Sequence, residues 1–157
     1  MSEALIRVEG LSFGWDSRLL LEDASFDRGF GPNRKDLVRN LRLALDHMSV
    51  AARTDDMEAL VACDTRFHEL LIDVSGRSRL KDLWSMLNSQ MGALMREEID
   101  RQGIGLLEVV ERHRGLFEAV SNGDITQFHR ELRVHYLTGF PSPDGLPPSP
   151  PDHAGDT

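Results

Sequence analysis

Four residues in this chain combine types and spacings that could hold a cation. Asp64 and His68 stand four positions apart, so a helix would stack them on one face. His113 and His135 each fall within a run of apolar residues recurring at helical intervals. A single inward histidine has an ordinary explanation, an imidazole bonded to a backbone carbonyl or a buried water. Four such groups on apolar faces would together cost several kcal/mol without partners, whereas one divalent cation satisfies three imidazoles and a carboxylate at once. Metal binding is therefore the favoured reading. Imidazole and carboxylate suit zinc, nickel or manganese. A closed tetrahedral zinc site would be structural, and an octahedral ion would keep positions for water or a substrate oxygen.

The elements that must position these groups are helices. A first helix is expected from about Arg34 to Arg53, with Leu37, Leu41, Ala44, Leu45, Met48 and Ala51 on one stripe. A second opens at Thr54-Asp55, with Asp55 as cap and Glu58 reaching back, and its stripe is Met57, Leu60, Val61, Asp64, Phe67, His68 and Leu71. Ser75-Gly76 ends it. A long third helix, read as a core helix, carries Leu80, Leu83, Trp84, Leu87, Met91, Leu94, Met95 and Ile99. After Gly103 and Gly105 comes a fourth, with Leu106, Val110, His113, Phe117 and Val120. Asn122-Gly123 stops it, and Asp124 caps a fifth with Ile125, Phe128, Leu132 and His135. His47 and His129 lie off these stripes and His153 falls in the tail, so all three are expected to be solvated. The lone cysteine, Cys63, reads as a small helical core residue in a reducing compartment.

The chain has 157 residues, 40% of them hydrophobic, which suits one core. Its formal net charge of −8 opposes binding to a phosphate backbone. No apolar run reaches the roughly 18 residues that span a bilayer, and the start lacks a signal peptide's order, so a cytoplasmic protein without a membrane partner is expected.

The stretches Asp64-Thr-Arg-Phe-His68-Glu-Leu-Leu, Ser75-Gly76, Glu111-Arg-His113-Arg-Gly-Leu-Phe-Glu-Ala, Gly123-Asp124 and His135 occur in an order and spacing that resembles the FCD domain, the effector-binding half of GntR-family transcription regulators. The resemblance covers about Asp36 to Thr138. It implies an all-α, antiparallel helical bundle holding a divalent metal (zinc, nickel or manganese) through Asp64, His68, His113 and His135, with a small organic acid as effector. It also suggests an arginine beside the metal, and Arg96 is the candidate by position. Arg66, rotated away from the Asp64–His68 pair, is expected on the surface. Pairing as a homodimer, or as a heterodimer with a full-length regulator, is the expected assembly.

Three zones follow: an atypical segment over 1–33, a helical domain over 34–140, and a disordered proline-rich tail over 141–157. Residues 5–33 are irregular and partly strand-like, with a faint similarity to the opening strands of an ABC-transporter ATPase. Gly31-Pro32-Asn33 is followed by Arg34-Lys35-Asp36 and not by a Lys-Ser or Lys-Thr pair, which argues against nucleotide binding. No winged-helix segment is legible ahead of the domain, so sequence-specific DNA binding is not expected of this chain, and the basic residues Arg34, Lys35, Arg39 and Arg42 read as a solvated helical face. The function expected is metal-dependent sensing of a small carboxylate. The alternatives are a metal-stabilised interaction module with no effector and a metal-dependent enzyme. The enzyme is disfavoured because no further inward base accompanies the four ligands.

Overall fold

The computed structural model describes residues 34–137, without the side chains of 89–91 and 137. The N-terminal segment with its ATPase-like phrase, the proline-rich tail and His153 lie outside the described residues. Among the described residues there are five helices and no strand: α1 (Arg34–Arg53), α2 (Met57–Asp73), α3 (Ser78–Gln102), α4 (Leu106–Asn122) and α5 (Ile125–Leu137). The all-α expectation holds.

All six stripe residues of α1 are buried. They meet α2 on one side and α4 on the other, while α3 lies against α2 and α5 against α4. Side-chain pairs show the helices running antiparallel. Arg42 stacks over the Phe117 ring at 5.0 Å while Arg34 reaches Gly123, so α1 and α4 pass in opposite directions. His113 meets His135 while Gly115 faces Glu131, which does the same for α4 and α5. For α2 and α3 the pairs are His68 with Trp84, and Val61 with Gly92, where an added Cβ would stand 3.0 Å from Val61 Cγ1.

The junction of α1 and α2 departs from the sequence expectation by one residue. Asp56, not Asp55, caps α2, accepting a hydrogen bond from Ala59 N–H at 2.9 Å. Asp55 is occupied in ending α1: its φ of 55° is left-handed, and Asp56 N–H donates to Ala51 O at 2.9 Å, the 6→1 bond of a Schellman turn. Glycine is the residue usually found at such a position, because a Cβ crowds the carbonyl there. Asp55→Gly is expected to raise stability by about 0.5 kcal/mol, the relief of strain exceeding glycine's entropy cost. A denaturation midpoint that falls in the variant would refute this.

The third helix is less of a core helix than its apolar stripe suggested. Trp84, Met95 and Ile99 are buried, but Leu83 and Leu94 are exposed, because α3 packs chiefly on α2 and offers its remaining flank no described partner helix. On α5, Asp124 caps as expected, accepting from Gln127 N–H at 2.8 Å, and Ile125 is exposed. No helix among the described residues is long and apolar enough to cross a membrane.

Candidate metal centre

The second helix brings Asp64 and His68 to its buried face, and both are almost fully enclosed. His113 arrives from α4 and His135 from α5. One ring nitrogen from each of the three histidines lies within 4.8 Å of the others. His68 Nε2 and His113 Nε2 are 3.1 Å apart, and Asp64 Oδ1 stands 2.9 Å from His113 Nε2 and 3.7 Å from His68 Nε2. Donors sharing one first-row ion at about 2.0–2.2 Å are roughly 2.8–3.6 Å apart when adjacent and up to about 4.4 Å when opposite, so this spacing suits a common cation. The His135 ring centroid is 4.5 Å from that of His113 and 5.1 Å from that of His68. With 9% exposure, His135 is the least enclosed of the four and marks the side nearest solvent.

Protonation strengthens the argument. His113 Nδ1 is 2.8 Å from Val109 O, which can only accept, so Nδ1 carries the hydrogen. In the neutral ring Nε2 then holds a lone pair, and that lone pair faces the Asp64 carboxylate oxygen at 2.9 Å. Two acceptors at this distance repel unless a proton or a cation lies between them. A divalent ion resolves the conflict without charging the buried imidazole. Cys63 does not compete for the ion as a thiolate: burial, and then the neighbouring Asp64 and Asp56 charges, push its thiol pKa up.

Two supporting groups were not singled out from the sequence. Tyr136 is buried, and its hydroxyl lies 3.1 Å from His68 Nδ1, where it can accept that nitrogen's hydrogen and so place the ring's lone pair on Nε2, the nitrogen facing His113. Its spacing was a legible signal, since Phe128, Leu132 and Tyr136 fall at four-residue steps. The second group is the Val109 carbonyl, which no side-chain pattern reveals. Tyr136→Phe is expected to weaken metal binding about tenfold to a hundredfold, measured by chelator competition. Unchanged affinity would remove Tyr136 from the site.

The model of the FCD domain family matches residues 15–138. The chain belongs to the FCD domain family. The match takes in residues 15–33 as well as the stretch from Asp36 in which the sequence resemblance was read. This FCD domain is also similar to the gluconate operon transcriptional repressor of Bacillus subtilis (strain 168), with 25% identity over 126 residues, 78% of this chain and 52% of the repressor. The chain thus spans about half the length of that relative.

The remaining sequence candidates fall outside the cluster. Arg96 is exposed on α3, and no hydrogen bond or ion pair among the described residues joins it to the four candidate ligands. With Trp84 level with His68 and Gly92 level with Val61, Arg96 stands near the start of α2, about two turns from Asp64. Arg66 is on the surface of this FCD domain, paired with Glu69 at 3.2 Å. His47 is exposed, and His129 is half-buried with its ring edge-on to Phe128.

Proposed function

We propose that this chain is the sensor of a regulator, binding a divalent metal through Asp64, His68, His113 and His135 and, at that metal, a small organic acid. The observation that carries the reading is the convergence of one ring nitrogen each from His68, His113 and His135, with Asp64 Oδ1 2.9 Å from His113 Nε2, an arrangement that a cation completes. When bound, a divalent ion of the zinc, nickel or manganese kind would supply a Lewis-acidic position for a carboxylate oxygen. The chain's own part is to hold the four donors, exclude water from three of them, and leave the approach past His135.

The similarity to a gluconate operon repressor supports an acid as effector and a regulatory, non-catalytic role in the cytoplasm. Hydroxy acids are the class to try first. Pairing with a second copy or with a longer regulator belongs to the same reading, as does reliance on another module for DNA recognition.

A thermal-shift screen of gluconate, citrate, lactate and simple monocarboxylates, with and without chelator, tests it. An acid present at about 100 times its Kd should raise the Tm of the metal-loaded protein by about 5–10 °C and leave the chelated protein unchanged. If chelation lowers the Tm but no acid raises it, the metal only ties the helices together. Arg96→Ala, measured alongside, decides whether that side chain reaches the acid from α3.

A further inference from the structure

We infer that Asn88 reads a hydroxyl group on the effector, so that the site prefers hydroxy acids to their deoxy counterparts. The inference rests on the proposed metal-and-acid site and names the class of acid it takes.

The placement follows from the α2–α3 register. Trp84 lies against His68, with ring centroids 6.1 Å apart, and Gly92 lies against Val61. Asn88 is midway between Trp84 and Gly92, one helical turn from each, and therefore on the flank of α3 turned toward α2. The point midway between His68 and Val61 on α2 is the level of Asp64. Asn88 thus stands at the level of Asp64, the carboxylate among the four candidate ligands.

The chemistry follows from burial. Asn88 is half-buried, but its Oδ1 is enclosed and has no hydrogen-bond partner among the described residues. Leaving a buried amide oxygen unsatisfied costs free energy, and an apolar residue of similar shape would avoid that cost. Such an expense is understandable where a ligand completes the bond. The two ends of an amide differ in role, one accepting and one donating, and a hydroxyl can answer either. An alkyl group can answer neither. A site built around a buried polar group discriminates strongly against the analogue that leaves it unpaired.

The test uses metal-loaded protein with two matched pairs, citrate against tricarballylate and lactate against propionate, titrated by calorimetry. The wild type should bind each hydroxy acid about tenfold to a hundredfold more tightly than its deoxy partner. Asn88→Leu should bring each ratio to within about twofold, with metal content unchanged and the ligand-free Tm no lower than wild type. Asn88→Ala serves as a second variant if leucine disturbs packing, because the readout is a ratio and not an absolute affinity. A hydroxyl preference that survives in the variants overturns the role of Asn88 and leaves the metal-and-acid site standing. If the metal-loaded wild type binds no acid at all, the underlying reading falls and this inference falls with it.

Discussion

His113→Ala is expected to lower the divalent metal carried by the purified protein from about one equivalent per chain to below about a tenth, measured by elemental analysis after desalting. The size of the effect follows from where His113 sits. Its Nε2 is within 3.1 Å of both His68 Nε2 and Asp64 Oδ1, so it joins the α2 pair to the ligand from α5. Its other nitrogen is held by Val109 O, which fixes the ring and leaves it no alternative orientation with both nitrogens satisfied. Alanine removes the donor that spans the two halves of the site and leaves the α2 pair, Asp64 and His68, with only His135 across from it. His47→Ala, an exposed histidine on α1, should retain full metal and serves as the control. Stoichiometric metal in both His113→Ala and His135→Ala would sink the assignment of the site.

Phe67→Ala should cost about 3–5 kcal/mol of stability, a large share of what a domain of this size has to lose. Phe67 is fully buried and sits edge-on to two of the candidate ligand rings, His68 at 5.7 Å and His113 at 5.0 Å between centroids. Its loss opens a cavity beside the metal site, and the His113 ring gains room to turn. Metal affinity should therefore fall together with stability. Leu71→Ala separates the two effects: Leu71 is equally buried on α2, so stability should drop by about 2–5 kcal/mol while metal affinity changes little. Denaturant titration of the chelated forms, paired with chelator competition on the loaded forms, checks both. Equal loss of metal affinity in the two variants would show that Phe67 acts only through the general core.

Much of this arrangement was legible in the sequence because helical periodicity reports burial directly. The α1 stripe was read correctly because that helix packs on two neighbours, and its apolar face has nowhere else to point. The four candidate ligands were legible for the opposite reason, as polar groups on faces that should have been apolar, and all four are buried. The reading of α3 was less secure. Leu83 and Leu94 lie beside its buried line, and nothing in their spacing tells whether a further partner covers that flank. The α2 cap was misplaced because Asp55 and Asp56 are both good capping residues, and only the left-handed turn ending α1 decides between them. Val109 O and the level of Asn88 depend on helix register across an interface, which a one-dimensional pattern does not contain.

The connectivity of the ligand cluster bears on how the domain folds. Of the main helix contacts, α1 with α2, α2 with α3 and α4 with α5 join neighbours in sequence, and these hairpins can close quickly through short loops. The contact between α1 and α4 cannot. His68 and His113 are 45 residues apart, and Tyr136 lies 68 residues from its His68 partner. Individual hairpins thus hold at most fragments of the donor set, and the complete set exists only once the chain has made its long closure. Any ion or acid that requires all four donors then recognises the finished topology and stabilises no partly folded form. Such a ligand should slow unfolding more than it speeds folding, so that the occupied sensor persists because it opens rarely.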